Sequence, residues 1–351
     1  MSDQVRAALT AIVEGRTLTL DEARGAMGAV MDGEATPSQL AALLMGLRMR
    51  GETVEELAGF ASAMRERVVR VEAPEGTIDI VGTGGDGSGT FNISTTAALI
   101  VAACGVPVAK HGNRAITSKS GSADVLDALG IRIDHDAASA GRAIRELGFA
   151  FLFAPSFHPA MRHAGPTRRE LGIRTAFNLL GPLTNPAGAT RAVLGIGVAA
   201  IAPAYAAVVE ALGTERTLVV HGAGVDELPL DGSGVIHDVS PAGVTRSEVD
   251  PAALGLSIAP LGALAGGTAG ENAAMLEAIL AGADRGPRRD VILLNAAAAF
   301  VAAGRTPDLG AGVALAAATI DDGSATALLA RLRAEKAAAD RARAATSEVP
   351  A

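Results

Sequence analysis

The chain has 351 residues, 49% of them hydrophobic and 19% charged, and a formal net charge of −8. Such a length carries two domains or one large domain with a small companion, and the apolar content supports a full core and argues against global disorder. The negative balance disfavours nucleic-acid binding, which needs clustered Lys and Arg, and Cys104, the only cysteine, can form neither an internal disulfide nor a multi-cysteine metal site.

The start, MSDQVRAALT, lacks the basic flank and apolar run of a signal peptide. No apolar run reaches the ~20 residues of a membrane-spanning helix. A cytoplasmic protein with no membrane association is expected.

The first 70 residues predict helices with clear punctuation. Thr19–Glu22, Thr36–Gln39 and Thr53–Glu56 fit the capping box, in which a Thr oxygen and an acid or amide three residues on satisfy orphan backbone donors. Pro37 suits a first helical position, and Gly33 and Gly51 stand where left-handed caps belong. Leu40, Leu43, Leu44 and Leu47 form an apolar stripe. Met45 and Met49 lie beside it, facing either the core or a second subunit.

After Pro74 strands and helices alternate. Strands are predicted at 78–81, 106–109, 149–153, 192–196 and 218–220, and helices at 97–104, 123–129, 138–147 and 203–212. This alternation predicts an α/β fold with a mostly parallel central sheet. Runs at 235–239 and 244–249 flank Ser-Pro-Ala-Gly and read as an appended hairpin. Ala-rich helices are expected near 271–280, 289–303 and 311–339. The boundaries that follow are a small helical domain at 1–72, a larger α/β domain at 73–337 and a frayed tail at 338–351.

Asp79-Ile-Val-Gly-Thr-Gly-Gly-Asp-Gly-Ser-Gly-Thr-Phe-Asn-Ile-Ser-Thr-Thr96 is the strongest local signal. A strand enters a loop with five glycines in eight residues, and the loop opens onto a helix. Glycines let backbone N–H groups approach an anion. Asn92, Ser94, Thr95 and Thr96 add donors where the helix dipole favours negative charge. A dinucleotide site would need an acid ~20 residues on, where the chain is apolar, and a Walker loop would need Gly-Lys-Ser/Thr. A purely structural glycine turn would not need those four side chains.

Lys110-His-Gly-Asn-Arg-Ala-Ile-Thr-Ser-Lys-Ser-Gly-Ser-Ala-Asp124 follows the next strand, at the same sheet edge. Lysine occurs only at 110, 119 and 336, so two of the three fall in this segment. A charge run is usually a solvated surface, but the strand-end position and the rare lysines favour a site. Arg168 and Arg169 are neighbouring guanidiniums; such a planar fork suits a carboxylate, and the other reading is a solvated helix charge. Asp226 and Glu227 follow a strand and can share a hard cation, the other reading being an exposed acidic turn. His135 reads as a surface residue, His221 and His237 as strand-end residues, and His158 as either packing or cleft-lining.

Asp79–Thr96 and Lys110–Asp124 together resemble the signature of the anthranilate phosphoribosyltransferase family. The similarity extends through Phe151-Leu-Phe-Ala-Pro155, His158–His163, Arg174–Pro186 and His221–Leu228, over about residues 5 to 335. It implies a small N-terminal helical domain, joined by helices from about 160–185 and hinged to the α/β domain. It also implies a homodimer and a cleft for 5-phosphoribosyl 1-diphosphate and anthranilate. On this chain Gly82, Gly85, Asp86, Thr90, Asn92, Ile93, Ser94, Thr95, Lys110, His111, Gly112, Asn113, Arg114, Ala115, Ile116, Thr117, Ser118 and Ser122 would line the donor. Gly82, Asn113 and Arg168 would meet anthranilate. Ser94, Asp226 and Glu227 would hold Mg2+, two ions per subunit, and no residue need act as a dedicated acid or base. Leu228-Pro-Leu departs from the family, which commonly has a hydroxyl residue after the acids. The rivals are a pyrimidine nucleoside phosphorylase-like enzyme and a nucleic-acid-binding relative on the same scaffold.

Overall fold

The computed structural model describes residues 2–115 and 119–347. The chain opens with helices α1 (Asp3–Val13), α2 (Leu20–Met31), α3 (Pro37–Arg50) and α4 (Val54–Glu66). Thr19, Thr36 and Thr53 each close a reciprocal capping box, and Ser2 caps α1. Leu40, Leu43, Leu44 and Leu47 are all buried, whereas Met49 is 83% exposed. Glu56 does more than cap: fully buried, it accepts from Leu18 N at 2.8 Å and pairs with Arg50, tying three helices' ends together.

The sheet has seven strands in the order β3-β2-β1-β4-β5-β6-β7. Strands β1 (Ile78–Gly82), β2 (Val108–Gly112), β3 (Phe149–Phe153), β4 (Arg191–Gly195) and β5 (Arg216–His221) run parallel. The hairpin of β6 (Gly234–Ser240) and β7 (Gly243–Val249) extends it antiparallel. Strand β2 begins two residues later than the sequence suggests. Pro107 lacks an N–H, so the ladder starts after it and takes Lys110, His111 and Gly112 into the strand.

Between the strands lie α5 (Ile93–Ala103), α6 (Ser122–Ala128), α7 (Ala137–Leu147), α8 (Ala154–Phe157), α9 (Gly165–Leu171), α10 (Phe177–Leu180) and α11 (Ala202–Ala211). The chain ends with α12 (Ala269–Leu280), α13 (Pro287–Ala302), α14 (Leu309–Asp321) and α15 (Ser324–Ser347). The single helix expected over 311–339 is therefore two, broken at Gly323 with φ +82°. The tail expected to fray from 338 is helical through Ser347: Lys336 pairs with Asp340 at 3.1 Å, and Arg343 pairs with Asp134.

Alternate strand residues feed opposite cores. Val193, Leu218 and Val220 pack with α5 and α13, while Leu194 and Val219 pack with α11 and the N-terminal helices. Ala164, Ala176, Phe177, Leu180 and Leu183 join that second core, so the segment around α9 and α10 packs with the helical bundle. Among the described residues no single helix is long and apolar enough to cross a membrane. The chain leaves β1 toward β2 on one side and returns to β4 on the other. The carboxyl ends of β1 and β4 therefore flank a topological switch point, the place where open α/β sheets form a crevice.

Candidate active site

At that crevice β1 runs into the glycine loop. Gly84, Gly85, Gly87 and Gly89 take φ of +66°, +65°, +74° and +66°, a region that a side chain would strain. Asp86 folds the loop on itself, accepting from Ser88 N and Ser88 Oγ, each at 3.0 Å. Thr90 bridges to Ala265. After β5, Asp226 Oδ2 accepts from Gly84 N at 2.7 Å, and Glu227 Oε1 accepts from Ser94 N at 3.0 Å, in the first turn of α5. The two acids thus link loop and helix N-terminus.

Burial, and then the Asp86 charge, push the Asp226 carboxyl up to about 6; burial and Asp226 push Glu227 up to about 8. Negative charge is crowded here with one buried counter-charge, Lys110. Carboxylates with Ser94 Oγ make an all-oxygen set that suits a hard divalent cation. Among the described residues no group of three or more His, Cys, Asp or Glu side chains forms a ready-made metal cage. A magnesium ion here would draw its remaining ligands from water or substrate oxygens.

The donors expected at the start of α5 divide into different roles. Asn92 anchors neighbouring segments, donating to Ser120 O at 3.3 Å and accepting from Asn272 Nδ2 at 2.9 Å. Ile93 sits in the core and spends its N–H on Phe91 O. Thr96 is buried and donates to Asn92 O, so its hydroxyl closes the helix turn and does not face the crevice. Thr95 Oγ1 is buried with no hydrogen-bond partner among the described residues.

Lys110 corrects the reading of a loop cation. It is 1% exposed and reaches under the loop to Ile80 O and to Ser94 Oγ at 3.3 Å. Burial lowers its pKa, while Asp79, Glu227 and Asp226 favour its charge. Asp79, pushed up to about 6 by burial, accepts from Asn185 Nδ2 at 2.6 Å and from His111 N at 3.1 Å. Arg114 is paired with Asp124 at 2.8 Å and Asp127 at 3.5 Å, and Asp124 also accepts from Ala115 N and Gly121 N. Asn113 Oδ1 accepts from Arg114 N, and Ser122 opens α6. Ile116, Thr117 and Ser118 lie outside the described residues.

Beside the loop is a cavity of about 730 Å3 whose wall includes Gly82, Asn113, His158, Arg168, Arg169 and Phe177. The Arg168 guanidinium lies 4.8 Å from the centre of the Phe177 ring, and burial lowers its pKa. Arg169 is exposed at the cavity rim. His158 lines the cavity with its Nε2 3.2 Å from His111 Nε2; burial lowers these two rings to about 4 and about 3. His135, expected at the surface, is buried, with Nδ1 3.4 Å from Ser139 Oγ. Cys104 is only half-buried. His221 ends β5 as expected, whereas its ring neighbour His237 lies within β6.

Several supporting residues escaped the sequence reading. Asn295 accepts from Leu228 N at 3.0 Å and donates to Leu228 O at 2.9 Å, fixing the turn after the acids. Its signal was a lone amide in the apolar run Val291–Phe300, since a buried amide must find partners. Asn185 and Arg174 lie within the segment Arg174–Pro186, but nothing in their spacing shows which strand or loop they reach.

Residues 74–326 match the glycosyl transferase family α/β domain, and residues 6–68 match the helical bundle domain of that family. The fold and crevice are thus those of the two-part glycosyl transferases. The chain is 53% identical over 330 residues to the anthranilate phosphoribosyltransferase of Chloroflexus aggregans, covering 93% of this chain and 97% of that one. It is similar to the crystal structure of the Thermus thermophilus anthranilate phosphoribosyltransferase, with 49% identity, a TM-score of 0.89 and coverage of 94% and 99%. The Saccharomyces cerevisiae enzyme in complex with PRPP and Mg aligns at 26% identity and a TM-score of 0.87, covering 96% of this chain and 99% of that one. The yeast enzyme also has a structure in complex with 4-fluoroanthranilate. The chain belongs to the anthranilate phosphoribosyltransferase family.

Proposed function

We propose that the protein transfers the phosphoribosyl group of 5-phosphoribosyl 1-diphosphate to the amino group of anthranilate, the second step of tryptophan biosynthesis from chorismate. The observation that carries this reading is the meeting, at one crevice, of a glycine loop and helix N-terminus held by two adjacent acids and a cavity containing a half-buried arginine. The ribose C1–O bond to diphosphate breaks, a C1–N bond forms, and the amine loses a proton. An arylamine is neutral and nucleophilic at neutral pH, so the protein's task is positioning and stabilising charge on the departing diphosphate.

Gly82, Gly85, Asp86, Thr90, Ser94 and the 110–118 segment with Ser122 line the donor in this reading, Lys110 acting from below as a buried counter-charge. Asn113 and Arg168 take the anthranilate carboxylate side. Ser94, Asp226 and Glu227 hold magnesium, two ions per subunit, and magnesium when bound neutralises the leaving group. Residues 1–72 with about 160–185 form one body and the rest of 73–337 the other, closing over the cleft. The same reading, by family resemblance, has the protein as a homodimer through the helical bundle. The protein is cytoplasmic and acts on small molecules, not on nucleic acid or membrane.

The test is anthranilate fluorescence, which falls only when donor and magnesium are both present. Equal loss without the donor, or thymidine or uridine phosphorolysis at a comparable rate, overturns the assignment.

A further inference from the structure

Gly84, in the glycine loop, is held from both sides of its backbone. Asp226 takes the N–H of Gly84, and from the opposite wall Arg174 Nη1 donates to Gly84 O at 3.2 Å and Gly85 O at 2.6 Å. Arg174 lies just past α9, the helix that carries Arg168, after a left-handed turn at Gly172. A single guanidinium therefore spans from the acceptor wall of the cleft to the loop on the donor wall.

Two features show what this contact fixes. A trans peptide unit is planar, with C=O and the following N–H pointing in opposite directions. Binding Gly84 O and Gly85 O therefore turns the N–H groups of Gly85 and Asp86 away from Arg174. Second, a Cβ on Gly85 would stand 2.7 Å from Arg174 Nη1, so the contact depends on a glycine there as well as on its positive φ. With left-handed glycines at 84, 85, 87 and 89, the loop has little intrinsic preference among backbone states, and an external clamp must choose one.

We propose that Arg174 is a positioning residue that clamps the carbonyls of Gly84 and Gly85, aims the loop N–H groups at the diphosphate, and couples the loop to the acceptor wall. The proposal rests on the donor-binding reading of that loop. Arg174 is exposed, so its removal leaves the fold intact.

The experiment compares wild type with Arg174→Gln and Arg174→Lys. Hydrogen exchange in the ligand-free protein should quicken over 83–89 in Arg174→Gln while the sheet stays protected. In steady-state assays the donor KM should rise about tenfold, the scale of a lost charge-assisted hydrogen bond, and kcat should fall. The anthranilate KM should move far less, because Arg168 is untouched. Lysine, which keeps the charge without the fork, should recover part of the donor KM. Unchanged exchange over 83–89 together with an unchanged donor KM would overturn the proposal. The exchange measurement needs no substrate, so it stands apart from the proposed reaction, whose own failure would appear as an inactive wild type.

Discussion

Gly195, the last residue of β4, lies so close to the main chain of Asp226 that a methyl group on it would overlap the Asp226 carbonyl. Gly82, at the end of β1, would in the same way meet the Asp226 carboxylate. Two neighbouring strands thus end in glycine because the acidic turn folds down over them. Gly195→Ala should push that turn away, costing about 1–3 kcal/mol of stability and most of the activity. Gly270→Ala, on α12 with open space around it, should be neutral or stabilise by about 0.4–1 kcal/mol. Thermal unfolding of both variants checks this; equal effects would show that the close approach at Gly195 is relieved by easy movement.

The acids themselves are tested by Asp226→Asn with Glu227→Gln. The pair sits at a turn held by Asn295 and the substitutions conserve shape, so the fold should persist by circular dichroism. Activity should fall steeply, and the defect should shrink as magnesium is raised, since mass action refills a weakened site. Added anthranilate should not repair it. A folded double variant with wild-type activity and magnesium dependence would reduce the pair to a structural turn.

Arg168→Ala should raise the anthranilate KM about ten- to hundredfold, the effect of a lost charge-assisted hydrogen bond, with a much smaller change for the donor. Arg169→Ala, at the rim, should change it little. The opposite order would move the acceptor contact by one position.

The capping boxes and the Leu40–Leu47 stripe were legible because local hydrogen bonding and helical periodicity decide them. The strand order was legible only as a class. Nothing local tells β1 to sit between β2 and β4, so the partners of Asp226 across the crevice were hidden. Lys110 shows the limit for the site: its rarity marked it as important, but the shift of β2 past Pro107 decides that its ammonium lies beneath the loop. His135 failed for a similar reason, because flanking aspartates suggested a surface while its ring packs inward.

That buried ring gives a pH prediction. Burial lowers His135 to about 4, with Arg132 and Arg343 opposing its charge and Asp134 and Asp136 favouring it. Above the unfolded value near 6.5 the ring is neutral in both states and contributes no pH dependence. As pH falls from about 6.5 toward 4 the unfolded chain takes up a proton that the folded ring resists, so stability is lost by up to about 1.4 kcal/mol per pH unit. The raised acids Asp79, Asp226 and Glu227 act with the opposite sign, since they bind protons more readily when folded, so the slope of the wild type alone does not isolate the histidine. His135→Asn does, because it removes one titration and leaves the acids unchanged. The variant should be less stable than wild type at pH 8, and the gap should narrow or reverse by pH 5, read as the difference in Tm across that range. A gap that stays constant with pH would mean that the His135 ring is protonated as easily in the fold as outside it.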